Sequence, residues 1–181
     1  MALSNNTHSQ TTFLSIVNGK ICRKVTKDTE GAVERTNKNG VLIYELQWTS
    51  LIGIIESISI RQSEEYGDQW EIMIRDVTDT YKLQLPISGR VTNGLMFRLP
   101  NIDLSSEVEL NTFINKEGKP VLLVKQNGVT VKQAYTKDNP NGLPQLESIV
   151  FKGKEQWDDT KQQAFIKNMV ETQIQPKLKK A

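Results

Sequence analysis

Three pairs of carboxylates, Glu64 with Glu65, Asp76 with Asp79, and Asp158 with Asp159, are the side chains of this sequence that come nearest to acid–base or metal chemistry. Such chemistry needs two carboxylates converging on one point. Neighbouring residues on a strand point to opposite faces, and acidic residues at a helix start cap it and oppose its dipole. All three pairs therefore read as structural. The chain holds one cysteine, Cys22, and one histidine, His8, too few for an internal disulfide, a zinc site or a histidine-based triad. No G-x-x-x-x-G-K or G-x-G-x-x-G string is present to cradle phosphates. The expectation is a protein without catalysis, cofactor or metal.

The chemistry that remains is contact with an unpaired polyanionic strand, which takes cations for the phosphates and exposed rings for the bases. Alternation turns Arg61, Arg75 and Lys82 outward, a turn supplies Lys116 and Lys119, and Lys132 lies further on. Phe113 falls outside the inward parity of Val108, Leu110, Thr112 and Ile114, and Tyr66 sits in a polar loop, so both are candidates for stacking. Trp70 and Tyr81 have core parity but lie at strand ends where a ring reaches a groove, and both join the candidate set. Trp48 is similar. Trp157 reads as a staple for a C-terminal helix. The run Lys20, Arg23, Lys24 and Lys27 extends the cationic surface, although alternation divides it between two faces.

These residues need a scaffold, and from Phe13 to Tyr135 the sequence shows short period-two segments separated by turn dipeptides. Leu42, Tyr44, Leu46 and Trp48 share one face, with Asn39-Gly40 turning into the run. Residues 51–61 alternate Ile52, Ile54, Ile58 and Ile60 against serines and Arg61, with Gly53 marking a bend or bulge. Residues 69–77 and 80–87 alternate in the same way. Val91, Leu95 and Leu99 recur every fourth residue before Pro100, which predicts a short helix within 88–99. Strands at 107–115, 119–126 and 128–135 follow, the last two joined at Asn127-Gly128.

That order predicts a mainly β protein: an OB-fold, a five-stranded Greek-key barrel of strands 42–61, 69–77, 80–87, 107–115 and 119–135 with a helix between the third and fourth. A hairpin at 13–25 is added at the N-terminal side. Residues 1–12 read as a disordered leader, 13–135 as the barrel domain, 136–156 as a loop or linker, 157–175 as a C-terminal helix ended by Pro176, and 176–181 as a basic tail. Asp158 or Asp159 is expected to cap that helix. Its stripe of Phe165, Ile166, Met169, Val170 and Ile174 must cover the barrel or a second subunit, which permits a homo-oligomer.

With 181 residues, 37% hydrophobic and 24% charged, the chain belongs with ordinary globular proteins and is long enough to bury a core of its own. No apolar run approaches the roughly 20 residues of a membrane helix, and residues 1–12 lack a secretory signal, so a cytoplasmic location and no membrane partner are expected. The net charge of +2 hides an acidic middle between two basic ends. Any nucleic acid must therefore be held by local patches.

Five strings, GKICRKV (19–25), GAVERTNKNG (31–40), LPNIDLS (99–105), TKDNPNGLP (136–144) and WDD (157–159), taken in this order and at these intervals, resemble a family of single-stranded DNA-binding proteins from tailed bacteriophages, including the crAss-like group. The resemblance covers residues 14–159. It implies an OB-fold, no catalysis, cooperative coating of single strands in phage DNA replication or recombination, replication proteins as further partners, and the host cytoplasm as location. It does not identify contact residues. Many such proteins end in an acidic tail that recruits partners, whereas this sequence ends in lysines. The alternative reading, from a different class, is a structural or assembly module that binds protein, such as a virion accessory.

Overall fold

The computed structural model describes residues 11–64, 67–151 and 153–178, without the side chains of Phe151 and Lys154. It is mainly β. Twelve strands are described: β1 (Thr12–Val17), β2 (Lys20–Val25), β3 (Val33–Thr36), β4 (Leu42–Trp48), β5 (Ser50–Arg61), β6 (Gln69–Arg75), β7 (Thr80–Pro86), β8 (Val108–Ile114), β9 (Pro120–Gln126), β10 (Val129–Thr130), β11 (Glu147–Phe151) and β12 (Lys154–Asp158). Helix α1 (Arg90–Met96) and a 3-10 turn (Leu99–Asn101) separate β7 from β8, and α2 (Thr160–Met169) opens the C-terminal helix.

Ten strands form one sheet in the order β10-β9-β8-β5-β6-β7-β1-β2-β4-β3, and β11 pairs β12 separately. The expected count of five is thus corrected to ten. The sheet curls, because β4 and β5 are one long strand bent at Thr49. Its β5 half pairs with β6, while its β4 half pairs with β2. Between them β6 pairs β7, β7 pairs β1 in parallel, and β1 pairs β2, so the pairing returns to the strand it left.

The N-terminal hairpin, expected as an addition, therefore supplies the partner of β7. The pair expected in that place, β8 and β9, extends the sheet from the first residues of β5 instead. Gly53 marks the crossing point. A Cβ there would lie 2.6 Å from the Arg75 carbonyl oxygen, and a register shift between Ile55 and Ser57 lets both Ile55 and Ile58 reach the core.

Inside the curl lie Leu14, Ile21, Ile58, Trp70, Ile72, Ile74, Leu83 and Leu85, all buried, with Leu95, Met96 and Leu99 of the helical segment beneath them. The runs at 69–75 and 80–86 present their apolar parity to this one interior, whereas the run at 42–48 does not: Glu45 is buried there, and Leu42 and Trp48 are exposed. Asn127-Gly128 forms the expected turn, with both residues at positive φ and Gln126 opposite Val129. Asn18-Gly19 does the same between β1 and β2. Asn39-Gly40 turns β3 into β4.

Other boundaries differ from expectation. The strand expected to run to Tyr135 stops at Thr130. Tyr135 is buried, edge-on to Phe97 and Phe165. The segment read as linker holds the β11–β12 hairpin, where Trp157 pairs opposite Ser148 and is 67% exposed, so it staples no helix. Pro176 does not end the helix. After α2 the chain widens into a π-helical turn (Val170–Ile174) and continues as α3 (Gln175–Leu178), which leaves room for the proline ring. Asp159 holds the N-cap position of α2 without a side-chain cap hydrogen bond, while Asp158, one residue before it, accepts from Thr160 N through Oδ1 at 2.9 Å. The expected stripe is real: Ile166, Met169, Val170 and Ile174 are buried, and Gln175 Nε2 donates to Ile58 O at 3.1 Å. Of the leader, residues 1–10 lie outside the described residues and Thr12 already belongs to β1. Of the tail, residues 179–181 lie outside them. Among the described residues no helix is long and apolar enough to cross a membrane.

Candidate nucleic-acid interface

The outward cations of β5, β6 and β7 stand where alternation puts them, but each has a carboxylate. Lys82 Nζ lies 3.1 Å from Glu71 Oε2, and Arg61 Nη1 lies 4.0 Å from Glu71 Oε1. Gln84 Nε2 donates to the same Glu71 Oε1 at 3.0 Å. Burial pushes the Glu71 carboxyl up, yet the hydrogen bonds from Gln84 and Lys82 and the Lys82 charge prevail, leaving it below the ordinary carboxylate range. Arg75 Nε reaches Glu56 Oε1 at 2.5 Å. Lys119 is 3.5 Å from Glu117, whereas Lys116 and Lys132 are exposed without a described ion-pair partner. This outer face is close to charge-balanced.

The rings divide three ways. Trp70 is corrected to a core residue: it is 2% exposed, and its indole N–H donates to Ile87 O at 3.1 Å, which satisfies the polar atom that would otherwise resist burial. Phe113 points outward as expected, 41% exposed at the end of β8, where its backbone packs against Gly19. Tyr66 lies outside the described residues, as does Glu65.

Tyr81 belongs to a site of its own. Beyond the Ser15–Cys22 pair, β1 and β2 part: Thr12 and Phe13 follow β7, opposite Tyr81 and Lys82, while Arg23 and Lys24 follow β4. The separation opens a cleft of about 250 Å³ lined by Tyr81, Trp48, Arg23, Asp79, Leu51 and Thr12, among others. Leu14 and Ile21 form its floor. Trp48, 43% exposed, is the ring on the opposite wall strand.

Burial, then the charges of Asp76 and Asp79, hold the Tyr81 phenol above its ordinary value, and Arg23 opposes them. Arg23 has no described carboxylate within ion-pair reach, and Lys20, Lys24 and Lys27 share that property. Two rings, one uncompensated guanidinium and an apolar floor are a combination suited to a flat ring system carrying phosphate.

Trp48 and Arg23 are legible as candidates in the sequence, but only the parallel β1–β7 pairing brings them together with Tyr81. Phe13 carries no such signal, yet it is 55% exposed, with Lys82 Nζ 5.3 Å above its ring centroid. A strand-end phenylalanine before Leu14 gives no outward signal until the register is known. The carboxylate pairs have local duties. Asp76 Oδ1 accepts from Thr78 N at 2.8 Å, and Asp159 Oδ1 accepts from Gln163 Nε2 at 2.6 Å. Among the described residues no group of three His, Cys, Asp or Glu is placed to hold a metal ion.

No protein-family model, no curated protein and no solved structure matches this chain.

Proposed function

We propose that this protein is a non-catalytic, sequence-tolerant single-stranded DNA-binding protein, working in the cytoplasm of the cell that replicates or recombines that DNA, with replication proteins as further partners. The observation that carries the reading is the cleft, where Trp48 and Tyr81 line the same space as Arg23. Unpaired bases enter and stack, and duplex cannot, because its bases are already stacked on one another. Arg23 supplies the phosphate contact of the cleft, while its strand neighbour Lys24 points to the other face of β2. The balanced outer face, with Arg61, Lys82 and Arg75 engaged by Glu71 and Glu56, contributes less than the sequence suggested. We read the curled sheet as a variant of the OB architecture, its ring made by the bent β4–β5 strand, β6, β7, β1 and β2.

The test is a fluorescence-anisotropy titration with labelled oligothymidine at several salt concentrations, beside a duplex of equal length. The reading expects saturable binding that falls with salt, by about 0.7 logarithmic units per neutralised phosphate, and much weaker duplex binding. Equal affinity for duplex, or binding indifferent to salt, contradicts it.

A second reading has its own observation. The β11–β12 hairpin stands outside the large sheet and exposes Val150, Trp157 and Ile149. An assembly module that docks protein through this hairpin would show no saturable response to oligothymidine at micromolar concentration.

A further inference from the structure

The cleft contains one group that indiscriminate strand binding has no use for. Asp79 lines its wall beside Tyr81. The Asp79 Oδ2 accepts a hydrogen bond from Thr78 Oγ1 at 2.8 Å, while Oδ1 has no described hydrogen-bond or ion-pair partner. A carboxylate in this position repels phosphate, so the backbone belongs on the Arg23 side and what faces Asp79 is an uncharged base. Carboxylate oxygens only accept hydrogen bonds.

The four DNA bases differ in what they offer such a group. Guanine presents two adjacent donors, N1–H and the N2 amine, which match the two oxygens. Adenine and cytosine present one amine next to an acceptor nitrogen. Thymine presents one N–H between two carbonyls, whose oxygens the carboxylate repels. Resting on the strand-binding reading above but narrowing its sequence tolerance to a bias, we propose that the cleft prefers guanine among unpaired bases, with Asp79 as the specificity-determining residue and Trp48 and Tyr81 as the stacking walls.

The test is an anisotropy titration at low salt with three labelled strands of equal length: an all-thymine strand, one with isolated guanines spaced along the thymines, and one with hypoxanthine at those same positions. Hypoxanthine keeps N1–H and lacks the N2 amine. The wild type is expected to bind the guanine strand about tenfold more tightly than the all-thymine strand, since a good bidentate pair discriminates by about that factor, with hypoxanthine between them. Asp79→Asn should abolish the preference while keeping or strengthening all-thymine binding. Asp28→Asn removes an exposed carboxylate outside the cleft lining and should leave the preference intact. Saturable binding without a guanine preference, or a preference that survives Asp79→Asn, overturns the selection and leaves the strand-binding reading standing. No binding to any of the strands overturns both.

Discussion

Tyr81 of β7 stands opposite Thr12 of β1 in a parallel ladder, and this pairing draws the start of β1 away from β2 to open the cleft. A ring in that wall is half-buried by its neighbours and free on the cleft side. Tyr81→Leu and Trp48→Leu, which keep an apolar side chain in the wall, are expected to weaken oligothymidine binding by about 5- to 100-fold each, the value of one stacked base. Anisotropy titration reads the loss. Unchanged affinity in both variants would remove the rings from the interface.

Arg23 and Lys82 provide a contrast of equal charge. Arg23 is free of described carboxylates, whereas Lys82 is held by Glu71 at 3.1 Å. Arg23→Ala should lower the salt slope of oligothymidine binding by about 0.7, and Lys82→Ala should leave it nearly unchanged. The reverse order would move the phosphate path to the outer face.

Trp70 separates packing from binding. Trp70→Ala is expected to destabilise the fold by about 3 to 5 kcal/mol, lowering the thermal midpoint. Trp70→Phe should keep much of the packing but leave the Ile87 carbonyl without its donor. A stable Trp70→Ala protein with impaired strand binding would return this residue to the interface.

How much of this was legible in the sequence follows from how local each signal is. Alternation in residues 69–75 and 80–86 and the Asn127-Gly128 turn depend on neighbours in the chain, and the structure keeps them, whereas in 42–48 the expected inward face is reversed: Glu45 is buried by its pairing with Arg35, and Leu42 and Trp48 are exposed. The outward parity of Phe113 survives for the same reason. The closing strand was not legible: a parallel pair such as Leu14 with Leu83 needs no turn dipeptide, and nothing in residues 13–25 announces its partner. The neutralising role of Glu71 depends on the register that sets it opposite Gln84 and beside Lys82. The β11–β12 hairpin was hidden behind Pro140, Gly142 and Pro144, which mark a loop ahead of it. Pro176 signals a helix end by its own chemistry, and only the widened turn before it allows the helix to continue.

Glu45 and Arg35 make a half-buried ion pair of the β3–β4 hairpin, with Arg35 Nη2 2.6 Å from Glu45 Oε1 and Glu45 3% exposed. The Arg35 hydrogen bond holds the Glu45 carboxyl below its ordinary range, against burial. Because the folded value is the lower one, the stabilisation is fully present above the unfolded carboxylate value of about 4.3 and fades as pH falls through the folded value. Glu45→Gln should therefore cost about 2 kcal/mol at neutral pH and much less near the acid limit. Urea midpoints measured across pH for both proteins check this, and a pH-independent difference would contradict it.

The most direct measurement is photo-crosslinking of a bromouracil-substituted single strand, followed by peptide mass spectrometry to locate the adduct. Adducts on Trp48 or Tyr81 are predicted. Adducts confined to Phe113, Phe13 or Trp157, with the cleft residues unmodified, would contradict the account.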